Sequence, residues 1–378
     1  MKVLFVQKLV GIAGSENYLL QAVPALREAG VDVEFLCLSP RESRGGHEPF
    51  KTRMLAAGIP FHVEEYRGFP SILALRRIAD LRRRGRFDIV HTHLIHADVV
   101  LALTKVLFDR QMVLASTKHG YQEGVLDTVG LEATQIKKNL YYFLCRFTSS
   151  QANGSVAISD GLRDFFVRHR LESEKGLRRI HYGFSFREPD PESVSRFRFA
   201  PHQLVIVGRL VAFKGHRFVL SLLPDLVTQF PDLKLVIVGS GPLEQDLRNR
   251  VAEDGLHDHV VFTGYKTNPQ DYMRDSDLVL VPSVSEGFGV VFLEAFNSGR
   301  PVVAFDVPAG NEILEDGVSG ALIRPFDTQA MGQEISRLLE DETIRHEMGA
   351  CGHERLLSYF SAERQLRETL TFYSDLLA

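Results

Sequence analysis

Residues 204–215 read LVIVGRLVAFKG. Four branched apolar residues run into Gly208, and Arg209, Lys214 and Gly215 follow within eight positions. A short apolar run stopped by glycine reads as a buried strand turning toward a helix. This strand decides the fold because it is a second beginning. Upstream, the runs 2–6, 31–39, 88–93, 112–117 and 155–159 form one series of candidate strands. Downstream, 204–208, 233–239, 259–264, 277–283, 301–305 and 320–324 form another. Helical patterns lie between them, such as SENYLLQAVPALREAG (15–30), whose closing Gly30 is a reasonable helix stop. Strands that alternate with helices and are apolar on both faces imply parallel sheets covered on both sides. Between the two series, FSFREPDPESVSRFRFAPHQ (184–203) is rich in Pro, Ser and charge and reads as a linker. The expected architecture is therefore α/β. Two doubly wound, Rossmann-like domains span 1–186 and 203–358 and face each other across a cleft, joined by a linker at 187–202. The segment 359–378 includes SAERQLRETLTFYSDLLA, which opens on a Ser N-cap and reads as a helix. It packs on the second domain or crosses back to the first.

The 378 residues are 44% hydrophobic and 24% charged, a globular composition long enough for two domains. No apolar run approaches the roughly 20 residues of a membrane span. The opening MKVLFVQKLVGIAG reads as a first strand rather than a signal peptide, because no small-residue cleavage site follows. Three widely spaced cysteines (Cys37, Cys145, Cys351) argue for a reducing, cytoplasmic setting. Residues 1–190 carry a net charge of +6 and residues 191–378 carry −10, which hints that the first half meets something anionic. Uneven surface charge with no partner is the plainer explanation. No aromatic-studded basic platform points to nucleic acid.

Ligands of doubly wound sheets bind off the carboxyl ends of the strands, and there the chemistry gathers. The turn Gly11-Ile12-Ala13-Gly14-Ser15-Glu16 could bring backbone N–H groups to an anion, or could exist for packing alone. Arg209 and Lys214 suit a diphosphate, one as a fork and one as a point charge. Gly239-Ser240-Gly241-Pro242 opens the next helix, with Pro242 at a first-turn position. In SEGFGVVFLEAFNSGRPVVAF (285–305), Glu286 and Glu294 stand in an apolar stretch where an unpaired charge is costly. Glu286 falls in a glycine loop before a helix that begins near Val290 and stops at Gly299, with Glu294 about one turn in. Both can face a ligand without being truly buried, and carboxylates grip hydroxyl groups well. Phosphates at Arg209 and Lys214 with hydroxyls at Glu286 and Glu294 describe a nucleotide sugar. The plainer readings are solvated surface cations and a helix-packing acid.

The runs GRLVAFKG, GSGP, DLVLVPS, EGFGVVFLE and GNEILEDGVSGALIRPFD stand in this order along the chain. Together they resemble the retaining glycosyltransferases of family 4, which have the GT-B fold. The resemblance implies that Arg209 and Lys214 bind the donor diphosphate and that Glu294 holds the ribose hydroxyls. It places Glu286 on the transferred sugar, with Gly287, Phe288 and Gly289 beside it. Gly14, Gly239, Gly241 and Tyr265 join the donor side, Tyr265 near the base. Asn311-Glu312 matches a family position to which no role is assigned. One turn departs from the family pattern: Tyr182-Gly183-Phe184-Ser185 stands where Asn-Gly-Val-Asp is usual. The implied reaction is retaining transfer from a UDP- or GDP-sugar to a glycan or lipid-linked acceptor. It needs no metal and no cofactor, and serves polysaccharide and cell-envelope synthesis.

The acceptor side is expected at Gly11, His93, His96 and His119, with loops 41–50 and 120–140 setting selectivity. His119 would orient the acceptor or the transferred sugar near the reacting centre and handle a proton, unless it is a satisfied structural residue. In DIVHTHLIHAD, His91, His93, His96 and Asp98 could bind zinc, but a strand end lining a site is the better reading. SILALRRIADLRRRGR (71–86) is a basic amphipathic helix, and IKKNLYYFLCRF (136–147) mixes Lys with aromatic residues. Either could lie on an anionic membrane at its inner face, or simply present a solvated face. Three rivals remain: a nucleotide-sugar epimerase or hydrolase on this fold, a non-catalytic sugar-nucleotide binder, and a dinucleotide oxidoreductase. The last lacks a full G-x-G-x-x-G in the first loop.

Overall fold

The computed structural model describes residues 1–12, 14–43, 45–121, 135–186 and 196–378. Ala13, Arg44, most of the 120–140 loop and the 187–195 part of the linker lie outside the described residues. The chain divides into two compact units. The first comprises residues 1–121, 135–185 and 361–378, and the second comprises 186 and 196–360.

The first unit holds a seven-stranded sheet in which every pairing is parallel. Its strands are β1 (Lys2–Lys8), β2 (Asp32–Pro40), β3 (Phe61–Tyr66), β4 (Ile89–His93), β5 (Val113–Lys118), β6 (Gly154–Ala157) and β7 (Leu177–Arg179). Their order is β3-β2-β1-β4-β5-β6-β7. The second unit holds a six-stranded parallel sheet of β8 (Gln203–Val207), β9 (Lys234–Val238), β10 (Val260–Gly264), β11 (Leu278–Val281), β12 (Val302–Phe305) and β13 (Gly320–Ile323). Their order is β10-β9-β8-β11-β12-β13. Both sheets reverse direction at their first strand, between β1 and β4 and between β8 and β11. These reversals are the places where doubly wound sheets open to ligands.

Apolar runs became central strands because both faces of a parallel sheet are covered. Leu4, Val6, Leu36, Leu38, Val90 and Leu114 pack against Leu75, Ile78, Val100 and Leu101 in the first unit. Leu204, Ile206, Leu235, Ile237, Leu278 and Leu280 pack against Val219, Leu223, Met331 and Ile335 in the second. Each such side chain contributes about 2 kcal/mol by leaving water. Two strands escaped the sequence reading. β3, FHVEEY, is half polar, and β7 is three residues long. Both are edge strands, and neither needs two apolar faces. The start of β8 is pinned to the start of β11 by Asp277, which accepts from the Gln203 amide at 2.7 Å and from Arg198 at 3.0 and 3.1 Å.

The basic amphipathic helix is Ile72–Gly85, capped by Ser71 Oγ accepting from the Ala74 amide at 3.3 Å. Its apolar stripe is mostly used by the core: Ala74, Leu75, Ile78 and Ala79 are buried. Only its first turn is left in water, where Ile72 and Leu73 are 64% and 62% exposed beside exposed Phe69. None of the described helices is long and apolar enough to cross a membrane.

The last helix, Ala362–Leu377, belongs to the first unit and is capped by Ser361 Oγ. Tyr373 is fully buried and its Oη lies 2.6 Å from His91 Nδ1. Gln365 donates to Tyr18 Oη at 2.7 Å. Gly183 admits this helix, because a Cβ there would overlap the Ser361 carbonyl oxygen and press on Gln365. Gly183→Val is therefore expected to destabilise the first unit by about 2–3 kcal/mol, in the range of an overpacked core. Urea unfolding midpoints measure the loss. Limited proteolysis should cut the variant near residue 360 under conditions that leave the parent chain intact.

Candidate active site

The second unit builds its site from two loops at the strand reversal. β8 ends at Val207, and the chain passes through Gly208–Gly215 into the helix His216–Gln229. β11 ends at Val281, and the chain passes through Pro282–Gly289 into the helix Val290–Asn297. The loops approach so closely that a Cβ on Gly215 would overlap the Pro282 carbonyl oxygen, and Gly215 has φ +72°. The Val284 amide donates to the Phe213 carbonyl at 2.8 Å and locks the pair. Lys214 Nζ thereby reaches Glu286 Oε1 at 2.6 Å.

This contact corrects one expectation. Glu286 is buried rather than merely facing a ligand, and its counter-charge is Lys214, the cation expected on the diphosphate. Exposed Arg209 and half-buried Lys214 flank one ring: their charged groups lie 5.8 and 5.6 Å from the Phe213 centroid. Phe213 was missed by the sequence reading, although it stands between the two cations in LVAFKG. Its ring face adds an attraction to each cation.

Glu294 is half-buried on the second turn of its helix. Burial raises its carboxyl pKa to about 7, while the positive Lys214 pulls the other way. Gly289, with φ +91°, leaves room for the Phe292 ring and starts the helix whose N–H groups face the loop. His216 opens the other helix. It is buried, neither ring nitrogen has a partner among the described residues, and burial lowers its pKa to about 4.

Gly239 and Gly241 have a plain steric reason. A Cβ on Gly239 would overlap the Gly208 carbonyl oxygen, and one on Gly241 would crowd Leu210. The Leu210 amide donates to Ser240 at 3.0 Å, and the Leu243 amide donates to Leu210 at 3.1 Å. The next helix begins at Glu244, two residues past Pro242. Tyr265 follows edge strand β10 and is 70% exposed, two strands away from β8.

The first unit gathers a different cluster at its own reversal. His93 ends β4, and its Nδ1 lies 2.8 Å from His119 Nε2. His119 Nδ1 is hydrogen-bonded to Tyr182 Oη. Both nitrogens of His119 are thus engaged, and burial lowers its pKa to about 3. His119 is a neutral, held ring here, and proton handling through it would require breaking one of these bonds. Of the residues considered for zinc, His91 is engaged by Tyr373 and by Thr117 Oγ1 at 2.8 Å, and Asp98 by Lys118 Nζ at 3.0 Å, so His93 Nε2 is the one donor this cluster leaves open among the described residues. His96 is exposed on the helix Leu94–Phe108, apart from this cluster. Among the described residues Gly11 and Gly14 meet nothing where a Cβ would stand, so packing against those residues does not require glycine at either. Tyr182, in the turn that departs from the family pattern, supplies the phenol bonded to His119 Nδ1.

The sequence of the first unit matches the family model described as Glycosyltransferase Family 4 over residues 12–185. The second matches Glycosyl transferases group 1 over residues 201–341. The chain belongs to the group 1 and family 4 glycosyltransferases. It is 27% identical over 366 residues to the phosphatidyl-myo-inositol mannosyltransferase of Mycolicibacterium smegmatis, covering 92% of this chain and 86% of that one. It is 30% identical over 213 residues to the alpha-D-kanosaminyltransferase of Streptomyces kanamyceticus, a match spanning 54% of this chain and 55% of that relative. The crystal structure of Anabaena HepE in complex with UDP and glucose superposes with a TM-score of 0.82 at 21% identity, over 99% of this chain and 100% of that one. This glycosyltransferase therefore has the GT-B fold that its sequence resembles.

Glu294 gives the site a measurable signature. Its folded pKa of about 7 lies above its ordinary 4.5, so the folded chain holds this proton more tightly than the unfolded chain. The resulting stability is complete below the ordinary value and is lost as pH rises through about 7. Glu294→Gln should be more stable than the parent at pH 8 by about 1–2 kcal/mol, a linkage value of about 3 reduced for solvent screening at a half-buried group, and indistinguishable from it near pH 4. Unfolding curves at both pH values check this; a difference that does not vary with pH would place the cause elsewhere.

Proposed function

We propose that this glycosyltransferase moves a sugar from a nucleotide diphosphate sugar to a hydroxyl of a glycan or lipid-linked acceptor, with retention at the anomeric carbon and without a metal. The observation that carries the reading is the Lys214–Glu286 pair beside Arg209 and Glu294, all at one strand reversal. When the donor arrives, Lys214 exchanges Glu286 for the diphosphate and Glu286 turns to a hydroxyl of the sugar. One ion pair is replaced by two ligand contacts, so neither buried charge is abandoned. Arg209 adds a planar fork, and the N-termini of His216–Gln229 and Val290–Asn297 add positive dipole ends. Glu294, when ionised, accepts from the ribose hydroxyls.

In the reaction the bond from the anomeric carbon to the diphosphate oxygen breaks. The acceptor hydroxyl oxygen bonds to that carbon from the same face, and its proton passes to the departing phosphate oxygen. Negative charge grows on the leaving group, next to Arg209 and Lys214. Each such donor is worth about 3 kcal/mol. HepE, solved with UDP and glucose, makes UDP the first nucleotide to try. The mannosyltransferase, named for phosphatidyl-myo-inositol, favours trying lipid acceptors beside glycans.

A panel of UDP, GDP, ADP and CMP with their sugars in a thermal-shift assay should single out one nucleoside diphosphate, and Glu294→Ala should abolish the shift. Lys214→Ala and Arg209→Ala should each lower turnover about 100-fold while the protein stays folded. Full turnover in either purified variant would refute the assignment.

A lipid-linked acceptor would bring the first unit to a membrane surface. Exposed Phe69, Ile72 and Leu73 stand where the arginine-rich helix begins, an apolar tip with a basic flank. Flotation with anionic vesicles at low salt should carry the protein up, and Ile72→Asp with Leu73→Asp should leave it at the bottom. No flotation of the parent chain would confine the acceptors to soluble glycans.

A further inference from the structure

Gln7 and His93 are register partners at the carboxyl ends of β1 and β4, the adjacent strands at which the first sheet reverses. Register partners in a parallel pair project to the same face of the sheet. Both side chains are almost wholly buried, at 0% and 1% exposure. Each keeps one polar atom without a hydrogen-bond partner among the described residues: Gln7 Oε1 and His93 Nε2. Buried polar atoms are nearly always paired, so two orphans on neighbouring strands call for a common partner.

We propose that Gln7 and His93 form a hydroxyl-binding site at the end of β1 and β4, its polarity set by Glu16 on one side and Tyr182 on the other. Glu16 fixes the amide of Gln7: its carboxylate can only accept, so the Gln7 NH₂ group turns to it and to Ser15 Oγ at 3.2 Å. The amide oxygen is left as a bare acceptor. Tyr182 fixes the imidazoles. An imidazole nitrogen accepts far better than a phenol oxygen, so the Tyr182 O–H donates to His119 Nδ1. His119 then carries its proton on Nε2 and donates to His93 Nδ1, and His93 carries its own on Nε2. The remaining pair is one N–H donor and one C=O acceptor. A hydroxyl, which accepts once and donates once, satisfies both. The charged and titratable groups around this chain are Glu16, the Asp98–Lys118 pair, His91, Tyr18 and Tyr373. Burial holds the three imidazoles neutral, as the relay of single protons requires.

The hydroxyl comes from water in the resting protein or from the sugar acceptor. Only the second source rests on the function proposed above. Tyr182 acts through His119 and is a positioning residue.

Protein labelled with ¹⁵N-histidine decides the matter by two-bond proton–nitrogen correlation, with His93→Gln and His119→Gln used for assignment. Protonated Nε2 and bare Nδ1 on both His93 and His119 are expected. A His93 that carries its proton on Nδ1 overturns the proposal. In Tyr182→Phe, which keeps the ring stacked 4.2 Å from Tyr18, the His119 tautomer should become mixed; an unchanged pattern overturns the part given to Tyr182. A water cross-peak to the His93 Nε2 proton supports the site as a water site. Displacement of that cross-peak by methyl α-D-glucopyranoside supports it as a sugar-hydroxyl site. With neither a water cross-peak nor a response to the sugar, there is no hydroxyl site. All of these readouts hold whether or not transfer activity is found.

Discussion

The second unit depends on a contact that only glycine permits. Gly215 lies against the Pro282 carbonyl oxygen with no space for a side chain, in a left-handed conformation. That approach brings the loop after β8 onto the loop after β11. Lys214, the residue before Gly215, can then reach Glu286, the fourth residue after Pro282. Gly239 and Gly241 repeat the device one strand over, against Gly208 and Leu210. Three loops are thus fitted together by missing side chains, and the charged groups ride on them. Without the close approach Glu286 would be a buried carboxylate with no cation, a state that costs several kcal/mol.

How much of this could be read from the sequence follows from which forces are local. Central strands were legible because two covered faces demand continuous apolar residues, as in LVIVG and LKLVIVG. The edge strands FHVEEY and LRR were not, since one open edge relaxes the demand. The four charged residues expected on the donor side were legible as residue types in the segments that follow β8 and β11. The Lys214–Glu286 pairing was not, because it joins positions 72 residues apart through loop packing. The helix 72–85 was read correctly as amphipathic, yet periodicity does not say what covers the apolar face. Most of that face is covered by the domain's own core, and only the first turn stays in solvent.

The histidines show the same limit in another form. His93 and His96 look equivalent in DIVHTHLIHAD, but β4 ends between them. Leu94 takes φ +68°, a conformation rare for a residue with its bulk, and turns the chain sharply into the next helix. His93 stays on the strand and enters the core, whereas His96 is turned outward. Tyr182 is more than sixty positions from His119, and only the fold shows that its phenol completes the ring's hydrogen bonds.

Burial without satisfaction gathers at the two strand reversals, although Ser149 Oγ and Asp109 Oδ2 are also without a hydrogen-bond partner among the described residues. Elsewhere buried charge is matched closely. Asp277 is met by Arg198 and by the Gln203 amide, and Asp98 by Lys118, Ser116 and Thr92. Several of the remaining orphans are arginine Nε atoms whose guanidinium groups are bonded through other nitrogens. At the reversals the pattern changes. Gln7 and His93 each keep a bare atom beside β1 and β4, His216 keeps two after β8, and burial raises the carboxyl pKa of Glu294 after β11. Selection for stability alone would replace such groups with apolar ones of similar size, since an unpaired buried polar atom costs about 1–3 kcal/mol. Buried groups left unsatisfied where doubly wound sheets open to ligands are the physical ground for the donor and acceptor sides proposed above.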